Sequence, residues 1–159
     1  MSLDDWILAL HLLAAFILVG AIVALWAVVL RVRAAERPAA IEPPLRMVPV
    51  LQPLTAIGGV GTLVFGIWLA ISLDDYDPWD GWILASLVLW VIAAVSGETA
   101  GARYKRAGAR AAELARSGGD VPDAELTAMA RDSRGLAMHA VASVAALAII
   151  VLMIWKPGA

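Results

Sequence analysis

Cysteine is absent from this chain of 159 residues, and charged residues are scarce. Without a thiol, disulfide bonds, thiolate metal sites and cysteine-dependent catalysis are excluded. Charged side chains make up 16% of the residues, against about 25% in ordinary globular domains. Hydrophobic side chains reach 62%, and histidine occurs twice. The composition is therefore that of a membrane protein.

Four long apolar segments account for most of the chain. A helix needs about 20 apolar residues to cross a bilayer, and each segment reaches that length. The first begins after Asp4 and Asp5 and is too long for a cleaved signal peptide, so we expect it to be retained. The sequence predicts an all-α, polytopic membrane four-helix bundle that forms a single domain over residues 1–159, with transmembrane helices at about 6–30, 47–73, 82–102 and 136–155.

The basic residues are distributed unevenly over the connections. All of them except Lys156 follow either the first or the third apolar segment, whereas the loop "DDYDPWDG" on the opposite side is acidic. Loops rich in lysine and arginine face the cytoplasm. We therefore expect a multi-pass plasma-membrane protein with both termini outside.

The connection between the third and fourth segments is rich in alanine and other helix formers. We expect the membrane helices to continue beyond the bilayer, over residues 103–117 and 121–134, as an antiparallel cytoplasmic hairpin. The alternative is a flexible basic loop that lies over the lipid headgroups.

Small residues recur at every fourth position of the second segment: Gly58, Thr62, Gly66 and Ala70. Such a stripe lets the backbones of two membrane helices approach closely, so it favours helix packing. The alternative is that it leaves room for a flat ligand.

His11 interrupts the first apolar segment, about 7 Å below its outer boundary when 1.5 Å is counted per residue. Met153 falls within about one helical turn of the same depth on the fourth helix. Histidine and methionine together can ligate haem iron, so these residues are predicted cofactor ligands. The alternative is that His11 bonds a backbone carbonyl and Met153 fills a gap.

Near the inner boundary, Gln52, Glu98 and His139 fall at similar depth on three different helices. His139 lies roughly 15–20 Å from His11 in depth, too far for both to ligate one haem. If the three converge, they could relay protons, ligate an inner haem through His139 or contact a quinone. The alternative is that Glu98 reaches towards the cytoplasm with Arg103.

The sequence contains no phosphate-binding loop, zinc-protease motif or serine-hydrolase motif, and no metal-ligand spacing. Catalytic residues are therefore not assigned, and enzymatic activity is left undecided. Because the basic residues all fit the orientation rule, nucleic acid is not an expected partner. The expected partners are the lipid bilayer and either further copies of the chain or a larger membrane complex.

Three segments together resemble a known family: "LALHLLAAFILVGAIVALWAVVLRVR", "LTAIGGVGTLVFGIWLA" and "GWILASLVLWVIAAVSG". They are similar to the bacterial four-helix integral membrane proteins grouped as domain of unknown function 2269. More distantly, the chain resembles the haem-binding four-helix protoporphyrinogen oxidases and the copper-resistance D-like membrane proteins, which carry an early histidine matched here by His11. The oxidases also use a lysine within the membrane, whereas Lys105 and Lys156 lie outside the apolar segments.

These observations lead to one hypothesis and two alternatives. The leading hypothesis is a membrane protein that binds b-type haem or another redox cofactor for electron transfer, with His11, Met153 and His139 as cofactor-binding residues. The first alternative is a non-enzymatic assembly or interaction subunit. The second is an oligomeric small transporter that uses Glu98 and His139.

Overall fold

The computed structural model describes residues 2–72, 77, 79–117 and 121–157; most of the acidic loop lies outside these ranges. Within them the chain forms helices and no strand. The helices are α1 (Leu3–Ala34), α2 (Pro38–Leu45), α3 (Val48–Ser72), α4 (Gly81–Arg116), α5 (Ala124–Ala130) and α6 (Ser133–Trp155). The long apolar helices α1, α3, α4 and α6 confirm the predicted membrane helical bundle.

Helix α1 begins before the apolar segment from which it was predicted, because polar side chains cap its first turn. The Ser2 hydroxyl accepts a hydrogen bond from the Asp5 N–H, and the Asp5 carboxylate accepts one from the Ser2 N–H. This reciprocal pair satisfies two of the N–H groups that a helix start leaves without partners.

Helix α2 was not foreseen from the sequence. Pro38 occupies its first turn, where a missing N–H costs nothing. Ile41 and Leu45, four residues apart, share one buried face. Helix α3 begins three residues later, with Pro53 inside it.

The connection from α4 to α6 is helical in part. Helix α4 runs unbroken to Arg116, through most of the predicted extension 103–117. The second predicted extension, 121–134, is divided into α5 and the start of α6, because the Asp132 side chain accepts hydrogen bonds from the N–H groups of Arg134 and Gly135 and caps a new helix. We call residues 103–116 together with α5 the arm.

The four long helices pack as two close pairs, α1 with α3 and α4 with α6, whereas α1 touches α6 and α3 touches α4 much less. Gly58 explains how near α1 and α3 come. A Cβ atom at Gly58 would lie 2.6 Å from the Leu18 nitrogen and 2.9 Å from the Ala14 oxygen, both of the α1 backbone. Without hydrophobic attraction between helices in lipid, such contact is what holds them together.

The largest cluster of buried side chains lies at the arm end of the bundle. Helices α1 to α5 all contribute to it, and Leu136 and Met138 of α6 pack against it. We call this cluster the arm core. Its fully buried members include Val32, Ile41, Leu45, Ala107, Ala111 and Leu126.

Replacement of Gly58 by alanine should strongly destabilise the bundle, because the new methyl group meets backbone atoms that cannot rotate away. We expect a loss of about 2–3 kcal/mol of unfolding free energy, at the upper end of overpacking costs. The measurement is equilibrium unfolding of the detergent-purified protein. The matched control is Gly20→Ala, since a Cβ there meets nothing within 4 Å; equal losses in the two variants would contradict the close approach.

Asp132 also joins α6 to the arm. Its carboxylate lies 2.7 Å from the Arg103 guanidinium. Burial by itself would raise the pKa of Asp132, but the hydrogen bonds from Arg103, Arg134 and Gly135 outweigh it and hold the pKa below its ordinary value. A carboxyl group with a lowered pKa stabilises the fold above its unfolded pKa, near 3.9. That contribution disappears as the pH falls through the lower, folded value.

Asp132→Ala should destabilise the junction by about 1 kcal/mol, the usual cost of losing a helix cap. Asp132→Asn keeps a capping oxygen but loses the charge, so we expect a smaller loss and a weaker dependence on pH below about 4. Limited proteolysis of the arm measures both effects. Glu36→Gln is the control, because Glu36 and Arg131 form an exposed pair 3.9 Å apart; an equal effect there would contradict the assignment.

Candidate functional site

A cavity of about 320 Å³ separates the two helix pairs next to the arm core. Alanine, glycine, valine, leucine and isoleucine provide most of its surface, and α1, α3, α4 and α6 all contribute. Its polar and aromatic lining residues are Gln52, Thr55, Trp90, Glu98, Tyr104 and His139. The three inner residues that were predicted to share a depth therefore line one cavity.

Gln52 and Glu98 bond directly across the gap between α3 and α4. The Gln52 Nε2 donates a hydrogen bond to Glu98 Oε2 at 2.8 Å. Gly101 makes this arrangement fit, because a Cβ at that position would lie 2.6 Å from Gln52 Nε2 and 2.7 Å from its Cδ. The carboxylate of Glu98 thus has a partner within the bundle.

His139 is held on the other side of the cavity by an aromatic contact. The centres of the His139 and Trp26 rings lie 4.7 Å apart and the rings are tilted by 52°. The Trp26 Nε1 donates to the Ser143 hydroxyl at 2.9 Å, and that hydroxyl donates to the His139 carbonyl oxygen at 2.8 Å. Trp26 therefore joins α1 to α6 and fixes the plane against which the imidazole packs.

Three residues that line the cavity each carry a buried polar atom with no protein partner. These atoms are Gln52 Oε1, Tyr104 Oη and His139 Nε2. The residues are 8%, 4% and 5% exposed, so water outside the bundle does not reach them freely. Leaving one such group without any hydrogen bond costs about 1–3 kcal/mol, so ordered water or a polar ligand that bonds these atoms would stabilise the fold.

Tyr104 was missed by the sequence analysis, which assigned it to the helical extension. A signal existed in the sequence, because Gly97, Gly101 and Tyr104 recur at the spacing of one helix face. On that face two glycines leave space beside the tyrosine ring, whose hydroxyl has Arg33 and Asp132 as charged neighbours at the arm end.

The charge around the cavity is negative or absent. Among the described lining residues, Glu98 is the one with a charged side chain, and neither lysine nor arginine occurs. An anion in the cavity would therefore lack a cationic partner among the lining residues and would lie near a carboxylate, which is costly in a medium of low polarity. The lining favours a neutral ligand.

The predicted outer pair, His11 and Met153, lies apart from this cavity. The His11 ring packs against Gly66, where a Cβ would come within 3.0 Å of His11 Cε1. Its buried Nδ1 has no protein partner. Met153 packs in a cluster with Ala70 of α3 and with residues of α4. The structure thus places both near α3, at different positions along it.

The predicted stripe of small residues lies along these helix contacts. Gly58 meets the backbone of α1, and Gly66 meets His11. The Thr62 hydroxyl donates to the Gly58 carbonyl oxygen at 2.7 Å, so it adds no bulk towards the neighbouring helix. Ala70 belongs to the cluster that contains Met153.

Gly101→Ala should displace the Gln52 amide and break its bond to Glu98, at a cost of about 1 kcal/mol in unfolding free energy. Gly97→Ala, one turn away, is the control, because a Cβ there meets the nearest atom at 3.9 Å. Unfolding of Gly101→Ala in a Gln52→Ala background tests the cause. In that background Gly101→Ala should lower the unfolding free energy by less than it does in the wild-type protein. An unchanged loss would mean that the new methyl group does not contact the Gln52 amide.

Comparison with known proteins gives one match. Residues 5–157 match the model of the family described as predicted integral membrane protein, DUF2269. No curated protein and no solved structure matches the chain. The match covers nearly the whole chain and confirms the nearer of the two resemblances seen in the sequence. The protein belongs to the DUF2269 family of integral membrane proteins.

Proposed function

We propose that this membrane protein binds a neutral, ring-shaped redox cofactor of the quinone class in the cavity between its helix pairs. One observation carries the proposal: Gln52, Tyr104 and His139, from three helices, line one apolar cavity, and each carries a buried polar atom without a protein partner. A ligand that both donates and accepts hydrogen bonds would satisfy these atoms and recover the cost of burying them.

The chemistry of the three groups restricts the ligand. A glutamine Oε1 accepts, a tyrosine hydroxyl donates or accepts, and a neutral imidazole nitrogen does either according to its tautomer. A quinone offers carbonyl oxygens that accept, and its reduced form offers hydroxyl groups that donate. Both are neutral, in agreement with the absence of lysine and arginine from the described lining.

The size and surface of the cavity also favour one ring system. A volume of about 320 Å³ lies at the small end of the range of roughly 300–1,000 Å³ for ligand pockets. The Trp90 ring and the many alanine and glycine residues present flat, apolar surface. A single substituted ring with oxygens at its edges matches both the volume and the polarity.

Haem, the cofactor predicted from the sequence, is the second candidate. The buried, unpartnered His139 Nε2 favours it, since an imidazole nitrogen is a common axial ligand. The volume and charge of the cavity favour it less, because a porphyrin has four pyrrole rings and carries carboxylates that would lack basic partners. Ligation by His11 and Met153, and the alternatives of an assembly subunit or a transporter, stay predictions.

The test of quinone binding is a thermal melt in phosphatidylcholine nanodiscs that contain rising amounts of a benzoquinone with a decyl tail. A ligand that binds the folded state raises its melting temperature. We expect a saturable rise that decylbenzene, which lacks the carbonyl oxygens, does not produce. No rise, or an equal rise with decylbenzene, would overturn the proposal.

Tyr104→Phe removes one hydroxyl and should lower the affinity for the quinone without lowering the stability of the fold. We expect the stability without ligand to be unchanged or higher, because an unsatisfied buried group is lost. Affinity for the decyl benzoquinone should fall about five- to tenfold, the value of one hydrogen bond. Thr99→Val is the control, since its exposed hydroxyl on the same helix bonds the Val95 carbonyl; an equal loss of affinity there would contradict the role of Tyr104.

A visible spectrum recorded after haemin is added tests the second candidate. A haem absorption band that disappears in His139→Ala would assign haem to the cavity. A band that disappears in His11→Ala would favour the outer site instead. A spectrum equal to that of free haemin would exclude both.

A further inference from the structure

The cavity is not closed equally on all sides. Of its lining residues, the ones that are exposed are Ala56 and Val60 of α3 and Ala94 and Glu98 of α4. The lining residues of α1 and α6 are buried or half-buried. The open side of the cavity is therefore the gap between α3 and α4, which faces the surface of the bundle.

Two hydrogen bonds cross this gap and limit the length of the opening along the helix axes. At the arm end, Gln52 Nε2 donates to Glu98 Oε2. Nearer the middle of the helices, Trp90 Nε1 donates to the Gly59 carbonyl oxygen at 2.9 Å. Because Gln52 and Gly59 are seven residues apart on α3, the two bonds are separated by about 10 Å along the helix. We call the opening between them the window.

The cavity-lining residues between these two bonds are small. Ala56 faces the window from α3, and Ala93, Ala94 and Gly97 line the cavity at the same level of α4. A Cβ at Gly97 would meet its nearest neighbour, Ala142 of α6, at 3.9 Å. No bulky side chain of these residues separates the cavity from the apolar surface outside.

The surface around the window is that of a lipid-facing helix pair. Ile57, Val91 and Val95 lie beside it and are 61%, 54% and 63% exposed. In a chain that sits in a bilayer, apolar side chains exposed to this extent face hydrocarbon, not water. The window therefore connects the cavity with the acyl-chain region of the membrane.

We infer that the molecule bound in the cavity carries a hydrocarbon tail, that it arrives sideways from the bilayer through the window, and that its tail stays in the window while its ring lies among Gln52, Tyr104 and His139. This inference rests on the proposed function and adds to it the class of lipid and its route. It explains a cavity whose polar groups lie towards the arm end, while the opening between the two bonds is lined by apolar residues. A water-soluble ring compound would need no such opening.

Ala94→Phe should narrow the window without touching the three polar residues. The two probes are a methoxy-methyl-benzoquinone without a tail and the same ring with a decyl tail, compared by thermal melts in phosphatidylcholine nanodiscs. We expect Ala94→Phe to lower the affinity for the tailed probe about tenfold, which corresponds to the burial free energy of about two methylene groups. Binding of the tailless ring should weaken much less, because that ring places nothing in the window. Val95→Phe is the control, because Val95 is exposed beside Ala94 but does not line the cavity.

The outcomes separate the two proposals. One result is that the tailed probe keeps its affinity for Ala94→Phe, and another is that both probes lose affinity equally. Either result would overturn the inference that the tail lies in the window, but not the proposal that the ring binds in the cavity. If neither probe binds the wild-type protein, the proposed function itself fails.

A second measurement does not depend on a bulky substitution. Because the chain has no cysteine, Ala94→Cys creates a single thiol at the rim of the window. Its reaction with a lipid-soluble maleimide should slow when the tailed quinone is bound and should not slow with the tailless ring. A thiol that already reacts slowly in phosphatidylcholine alone, with no further change on adding quinone, would show that ordinary acyl chains fill the window and would overturn the inference.

Discussion

Close contact between the backbones of α1 and α3 is the constraint on which the rest of the structure depends. In hydrocarbon, apolar side chains gain little by touching each other, so helices associate where their backbones can approach. Gly58 allows that approach to Leu18 and Ala14. Because α1 packs against α3 along its length, it has little surface left to contact α6. The bundle therefore consists of two helix pairs with space between them.

The position of the arm core explains why the space between the helix pairs is a cavity. The pairs are joined at the arm end by buried side chains from five helices and at the other end by a smaller cluster around Ala70. Between the two clusters, hydrogen bonds from Trp26, Gln52 and Trp90 connect the pairs. A fully packed centre would leave no room for a ligand, and unjoined pairs would separate in lipid. The cavity exists because packing is concentrated beside it, where the chain leaves the apolar segments.

The depth of each polar residue in the membrane could be predicted from the sequence, but the side of the bundle towards which its side chain points could not. A helix rises 1.5 Å per residue, so counting placed Gln52, Glu98 and His139 at one level, and the structure brings all three to one cavity. In a soluble helix, an apolar stripe also identifies the buried face. In a membrane helix the lipid-facing side is equally apolar, so nothing in the sequence revealed that Trp26 would pack on His139.

The order of the contacts along the chain has a consequence for how the protein assembles during synthesis. The contact between α1 and α3 requires residues up to Ser72 only, so it can form once α3 is inserted, before α4 leaves the ribosome. The arm core needs α5, and its last contacts come from Leu136 and Met138. The first helix pair can therefore form before the second, and the second pair then completes the cavity wall.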